Sequence, residues 1–282
     1  MNKIAAVVVT YNRKEKLSIN LKCLLNQKRN LDRIYIVDNG STDGTDKMIQ
    51  EMLLQHKNIQ YIRLHNNIGG SGGFYVGIKS AYDDGFEYIW GMDDDAYPNE
   101  DALLQLESVR ERLPQDVCLW SNCDMDIDFD KNDYKEVDFW IFVGFYISRN
   151  VISKVGFPRA DFFIYHDDVE YANRIKRFGY KIIKVKNSII NHKSFEQRKF
   201  YEKKICGKLI KFPIMNDWRI YYLVRNSILM YKISDIKRYR QIFITNPKIF
   251  LKIVLLNTDQ KLIFLRGYID GILNISGIKV LP

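Results

Sequence analysis

The stretch Tyr88-Ile89-Trp90-Gly91-Met92-Asp93-Asp94-Asp95 decides how the rest of the chain is read. An apolar run, rich in aromatic and β-branched residues, stops abruptly at three consecutive carboxylates. A strand buried on both faces has this character when its C-terminal edge delivers side chains to a site. Three adjacent like charges repel unless a cation neutralises them, and an acidic oxygen set suits a hard divalent metal. A solvated acidic turn is the alternative, and the surrounding segments decide between the two.

Upstream, Ile4 to Thr10 is a continuous, valine-rich run of the parallel-strand kind. The polar loop Tyr11-Asn12-Arg13 follows, and Leu17, Leu21, Leu24 and Leu25 then recur at helical spacing between Lys14 and Gln27. Arg33 to Val37 reads as a second strand. It is closed by the turn formers Asp38 to Thr45, where Ser41, Asp43 or Thr45 can cap a helix running through His56. Ile59 to Leu64 is a third strand, followed by a glycine-rich loop from Asn66 to Gly73 and a helix to about Tyr82. Phe86 to Met92 is the fourth. Strands that alternate with helices predict an α/β fold with a doubly wound, mostly parallel sheet flanked by helices. Ligands in such folds sit beyond the carboxyl ends of the strands, where all four polar loops lie.

Downstream, Asp124 to Asp138 is acidic and loop-like, and Phe139 to Ser148 is an aromatic strand. Phe162 to Tyr165 runs into His166-Asp167-Asp168-Val169-Glu170 and a helix through Phe178. Capping accounts for one acid at a helix start, hardly for three beside a histidine. One carboxylate of the Asp167–Asp168 pair suits a general base. Lys181 to Lys186 alternates apolar residues with lysine, and Ile189 to His192 ends a last short strand. His192, in a chain with an acidic cluster, is a candidate nitrogen ligand. The run Gly69-Gly70-Ser71-Gly72-Gly73 can bring backbone amides to phosphates, but it matches neither the P-loop nor the dinucleotide fingerprint. Trp120 and Trp140 suit either stacking on sugar faces or core packing.

The 282 residues are 46% hydrophobic and 27% charged, the balance of a folded soluble domain rather than a disordered chain. No apolar run reaches the roughly 18 residues that span a bilayer. The start of the chain reads as a first strand, not a secretory signal. Cys23, Cys118, Cys123 and Cys206 are scattered, which suits a reducing cytoplasm. The net charge of +9 is uneven, with about 17 Lys and Arg against about 6 acids beyond residue 195. Residues 196–282 are therefore expected to form a basic helical region. Its apolar faces bordered by cations suit a membrane interface, the catalytic body or a second subunit. No nucleic-acid-binding module accompanies the charge.

Together, Val7-Val8-Val9-Thr10-Tyr11-Asn12-Arg13, Val37-Asp38-Asn39-Gly40-Ser41-Thr42-Asp43-Gly44-Thr45, Asn66-Asn67 with Gly69-Gly70, and the aspartate triplet resemble family 2 of the inverting glycosyltransferases. Phe163-Ile164 with Asp167-Asp168 and Glu170-Tyr171, then Asn191-His192, then Tyr221-Tyr222 with Arg225-Asn226, resemble its branch of galactofuranosyl- and rhamnosyltransferases. The resemblance implies a GT-A (Rossmann-like) catalytic domain over 1–195. Its nucleotide-sugar half covers about 1–97 and its acceptor half about 98–195. It also implies Mn²⁺ or Mg²⁺ and a nucleotide-sugar donor, UDP-galactofuranose first and dTDP-rhamnose second.

By the same resemblance, Thr10, Tyr11, Asn12, Arg13 and Asp38 hold the nucleobase and ribose, with Asn67 nearby. Asp93 and Asp95 bind the metal with His192, and Asp94 faces the nucleotide between them. Asp168 is the base, and Asp167 and Glu170 hold acceptor hydroxyls or orient it, with His166 and Trp140 also expected on the acceptor side. The acceptor is then a glycan or lipid-linked saccharide in bacterial cell-surface polysaccharide synthesis, with the enzyme peripheral on the cytoplasmic membrane face. The other class consistent with these residues is a silent sugar-nucleotide or glycan binder on the same fold.

Overall fold

The computed structural model describes residues 2–114, 117–123, 127–192, 199–205, 207–256 and 258–282. They fall into two compact units, Met1–Ala160 with Tyr171–Lys193, and Asp161–Glu170 with Ser194–Pro282. The expected boundary at 195/196 lies outside the described residues. The segment Asp161–Glu170, expected in the catalytic half, groups instead with the C-terminal unit.

The first unit runs through β1 (Ile4–Thr10), α1 (Lys14–Leu25), β2 (Arg33–Asp38), α2 (Thr45–Gln55), β3 (Ile59–Arg63) and α3 (Gly69–Asp83). It continues with β4 (Tyr88–Asp93), β5 (Tyr97–Pro98), α4 (Ala102–Arg110), β6 (Val117–Asn122), β7 (Tyr134–Val137), β8 (Phe145–Ser148) and α5 (Arg149–Val155). Helix α6 (Asp167–Arg177) has its first turn in the second unit and the rest in the first, and β9 (Lys181–Asn191) follows. Among the described residues of this unit the strands form one nine-stranded sheet in the order β3-β2-β1-β4-β8-β6-β9-β5, with β7 also on β9.

The β3-β2-β1-β4 half is wholly parallel, as the alternation of strand and helix predicts. All seven residues of β1 are buried, which explains its unbroken apolar character. Leu17, Leu21 and Leu24 of α1 are buried at one-turn spacing. Register then builds the site: Thr10 pairs with Asp38, and Val9 with Asp93. The polar ends of β1, β2 and β4 therefore share one sheet edge.

The structure corrects several local expectations. The glycine run is the first turn and a half of α3, not a loop. A β-carbon on Gly77, farther along the same helix, would lie 2.4 Å from Val7 Cγ1 and 3.0 Å from Val37 Cγ2. Small residues let α3 lie directly on β1 and β2. Strand β8 spans only Phe145–Ser148, and β9 is one strand of 11 residues rather than two. Within the expected acidic loop, 124–126 lie outside the described residues, whereas Tyr134–Val137 forms β7, antiparallel to β9.

The C-terminal unit is not all helical. It opens with an antiparallel hairpin, β10 (Phe200–Ile205) and β11 (Lys208–Pro213). Then come α7 (Asp217–Leu229), α8 (Ile236–Arg240), a π-helical turn over Gln241–Thr245, α9 (Asn246–Leu255) and α10 (Lys261–Ile272). Its core joins Phe212, Ile220, Val224, Ile253 and Phe264.

Gly77→Val should overpack the α3–sheet contact and lower stability by about 1–3 kcal/mol. Urea denaturation checks it, and an unchanged midpoint would contradict the close approach.

Candidate functional site

At the C-terminal edge of β4, the three aspartates point in different directions. Asp94 is buried: its Oδ2 accepts from Thr10 Oγ1 at 2.8 Å and its Oδ1 from Arg13 Nη1 at 3.2 Å. Asp95 is partly exposed and gathers three donors. Arg13 Nη1 lies at 3.0 Å and Lys16 Nζ at 2.9 Å from Oδ2, and His192 Nε2 at 3.3 Å from Oδ1. Asn20 donates to the main-chain oxygen of Ala96 at 2.5 Å, fixing the turn that carries the acids. Around the rim, the amide of Asn12, at φ +51°, donates to Ser41 Oγ at 2.9 Å, and Asn12 Oδ1 accepts from the Thr42 amide at 2.8 Å.

Electrostatics follow from this placement. Burial, reinforced by Asp94 and Asp95, pushes the Asp93 carboxyl up to about 8. Asp94 is raised by burial, against the pull of Arg13 and the Thr10 hydrogen bond. Burial also disfavours charge on Asp95, yet hydrogen bonds from His192 and Lys16 and the charge of Arg13 hold it well below the usual carboxylate range. Desolvation lowers Arg13, but Asp94 and Asp95 overcome it and keep the guanidinium charged. The cluster is one charge-balanced unit.

The donor types present (carboxylates and one imidazole) are those that take Mn²⁺ or Mg²⁺. Asp93, a carboxyl that burial and its neighbours would otherwise protonate, is the group a dication would return to its ionised form. Among the described residues, no three His, Cys, Asp or Glu side chains are already arranged around a common metal position.

The second unit carries the other acidic group. Phe163, Tyr165 and His166 all have left-handed backbones, at φ +67°, +66° and +64°. Each costs about 1 kcal/mol or more for a residue with a bulky side chain. Helix α6 then begins with Asp167, Asp168 and Glu170 in its first turn, where the helix dipole favours negative charge. The Val169 amide donates to Asp168 Oδ1 at 2.7 Å. Burial and the neighbouring Asp167 push Asp168 up to about 8. Burial lowers His166 to about 4, so its ring is neutral at pH 7, and its buried Nε2 has no hydrogen-bond partner among the described residues.

Several expected residues are placed differently. Asp38 is fully buried, with Oδ1 taken by the Ser41 amide and Oδ2 by the Tyr61 hydroxyl at 2.6 Å. Both of its oxygens hold the loop together, one through a main-chain amide and one through a phenol. Asp94 faces Thr10 and Arg13, not open space. Trp140 is fully buried, 5.4 Å from the Phe145 ring and 6.2 Å from Tyr171, and Trp120 donates to Val143 O inside the core. Both rings are core, so neither can stack on a sugar here. Asn67 Oδ1 accepts from the Gly69 amide at the start of α3. Tyr11, Asn12 and Arg13 are exposed, and Arg13 lies against the acids.

Lys16 and Asn20 were not anticipated, although Arg13, Lys16 and Asn20 recur at the spacing of one helix face. Asn20 sits in the buried leucine stripe, where an amide needs a polar partner.

The model of glycosyl transferase family 2 matches residues 5–172. Galactofuranosyltransferase GlfT1 of Mycolicibacterium smegmatis is 27% identical over 204 residues, covering 62% of this chain and 66% of that protein. The chain thus spans just under two thirds of that relative's length. Among solved structures, TarS from S. aureus in complex with UDP-GlcNAc superposes with a TM-score of 0.63 at 15% identity, covering 95% of this chain and 81% of TarS. The mannosyltransferase PcManGT from Pyrobaculum calidifontis, in complex with GDP-Man and Mn²⁺, gives 0.60 at 11% identity, covering 96% and 87%. Both likenesses establish the GT-A fold.

Asn20→Leu keeps the volume but leaves the Ala96 carbonyl without its donor. The expected loss is about 1–3 kcal/mol of stability. Thermal denaturation checks it, and an unchanged melting temperature would show that Asn20 does not hold the turn.

Proposed function

Because the chain belongs to glycosyl transferase family 2, we propose that this glycosyltransferase inverts the anomeric centre of galactofuranose as it transfers it from UDP-galactofuranose. The acceptor in this reading is a hydroxyl of a glycan or lipid-linked saccharide in cell-surface polysaccharide synthesis. The observation that carries the reading is the balanced cluster of Thr10, Arg13, Lys16, Asp93–Asp95 and His192 at the sheet edge. The galactofuranosyl preference rests on the mycobacterial relative.

In this reading the nucleotide lies against the rim Tyr11–Arg13. Arg13 and Lys16 attract the diphosphate, and Asp93, Asp95 and His192 would hold Mn²⁺ or Mg²⁺. When bound, the dication supplies Lewis-acid stabilisation to the departing nucleoside diphosphate. Asp168 accepts the proton of the acceptor hydroxyl as the oxygen attacks the anomeric carbon from the opposite side. One in-line displacement inverts the centre, and no side chain forms a covalent bond to the sugar. Asp167 sets the basicity of Asp168 and, with Glu170, orients acceptor hydroxyls.

A panel of UDP, dTDP, GDP and CDP with and without Mn²⁺ tests the donor site by thermal shift, since a ligand of the folded state raises the melting temperature. A Mn²⁺-dependent shift with UDP is expected. Preference for dTDP would move the donor to dTDP-rhamnose. No nucleoside diphosphate release from any donor would favour the silent binder.

Asp168→Asn should abolish transfer while leaving nucleotide binding intact. A base acts deprotonated, so kcat/KM should rise with pH to about 8 and level off above it. Asp167 raises Asp168, so Asp167→Asn should move that limb to lower pH. A limb that stays in place would separate the profile from this pair.

Support for a membrane contact comes from the helical part of the second unit. Ile236 is 81% exposed, Phe243 71% and Leu251 55%, interleaved with exposed Lys237, Arg240, Lys248 and Lys252. No Asp or Glu occurs from 236 to 256, so the face suits anionic lipid better than a second copy of itself. Among the described residues no helix is long and apolar enough to cross a membrane. The protein should float with phosphatidylglycerol vesicles and not with phosphatidylcholine alone, and Phe243→Glu with Leu251→Glu should release it. Flotation unaffected by that pair would place the contact elsewhere.

A further inference from the structure

The buried pair Arg225–Asn226 makes a set of main-chain contacts that ordinary helix packing does not call for. Asn226 Nδ2 lies 2.8 Å from the carbonyl oxygen of Phe162, 2.8 Å from that of Ile164 and 3.0 Å from that of Tyr165. Its Oδ1 accepts from Arg225 Nε at 2.9 Å, which fixes the orientation of the amide and points its donors at the segment. Arg225 Nη2 donates to the carbonyls of Asp161 at 3.1 Å and Phe162 at 3.3 Å, and Nη1 to Gly277 at 2.5 Å. The guanidinium lies over Tyr222 at 4.7 Å and Tyr221 at 5.3 Å. Phe163 stacks on Tyr222 with ring centroids 4.8 Å apart.

These carbonyls belong to the segment whose backbone is left-handed at Phe163, Tyr165 and His166. Bulky residues keep that conformation only where their surroundings over-determine it. The two adjacent side chains of α7 do so by engaging the carbonyls of Asp161, Phe162, Ile164 and Tyr165. Asp167 and Asp168 follow immediately and start α6.

We propose that Arg225 and Asn226 are positioning residues that clamp the Asp161–Tyr165 backbone and thereby set the aim of the Asp168 carboxylate. This rests on Asp168 being the base. The clamp acts on the chemical step and leaves nucleotide binding untouched.

Asn226→Asp is the informative variant. It keeps the side-chain volume and the acceptor for Arg225 Nε, but sets a carboxylate oxygen where the two N–H donors of the amide faced three carbonyls. It is compared with Asp168→Asn in the full chain, measuring kcat, donor KM, the UDP-induced thermal shift and the melting temperature. The expected result is a fall in kcat of about 100-fold, the cost of misplacing a reacting group by about 1 Å. Donor KM and the UDP shift should be unchanged.

Wild-type kcat in Asn226→Asp, with Asp168→Asn inactive, overturns the clamp and leaves the base in place. A kcat that falls only together with the UDP shift indicates general loss of structure and also overturns it. Wild-type transfer by Asp168→Asn overturns the base assignment, and the clamp with it. Should Asn226→Asp not fold, Arg225→Lys gives the second reading. It keeps the cation over the tyrosines but cannot span the Asp161, Phe162 and Gly277 carbonyls. The same split between kcat and donor KM is expected, and wild-type kcat there overturns the proposal.

Discussion

Mutual repulsion among Asp93, Asp94 and Asp95 is the constraint on which the first unit is organised. Each sits at the end of a buried strand, where water solvates charge poorly and like charges cannot be left adjacent. Relief comes from segments far apart in the sequence: Thr10 at the end of β1, Arg13 just beyond it, Lys16 on α1 and His192 after β9. A parallel sheet meets this requirement because all its β1, β2 and β4 strands end on one edge. The tight seat of α3 on Val7 and Val37 serves the same end, by fixing the strands whose termini carry the cluster.

The second unit solves a different problem by different means. Its acids begin a helix, so main-chain amides and the helix dipole already favour negative charge. What must be held there is geometry, and the holding groups are neutral carbonyls on one side and the donors of Arg225 and Asn226 on the other. The first unit balances charge through side-chain ions, whereas the second fixes direction through main-chain hydrogen bonds.

The parallel half of the sheet was legible because β1, β2 and β4 are buried on both faces and read as unbroken apolar runs. The rim Tyr11–Arg13 was legible because polar residues following such a run have one place to go. The hairpin β10–β11 was not, since Lys203, Lys204, Lys208 and Lys211 hide its alternation beneath a basic composition that resembles a surface helix. The glycine run looked like a turn because the close approach of α3 to β1 is a fact of packing, which no local pattern encodes. Burial separated Asp38, Asp94, Trp120 and Trp140 from the ligand-facing roles their residue types suggest. Arg225 and Asn226 carried a motif resemblance, but their partners lie some 60 residues away.

That separation has a bearing on how the protein is made. Closing a chain loop of this length costs conformational entropy before any contact forms, and synthesis runs from the N-terminus. The segment from Asp161 to Glu170 leaves the ribosome well before α7, so its left-handed backbone has nothing to hold it at that stage. The acids at the end of β4 find Thr10, Arg13 and Lys16 within the first hundred residues, and His192 and the β8 neighbour of β4 come later. The nascent chain therefore acquires its two acidic centres in sequence, with the strained one completed only after α7 has emerged and docked.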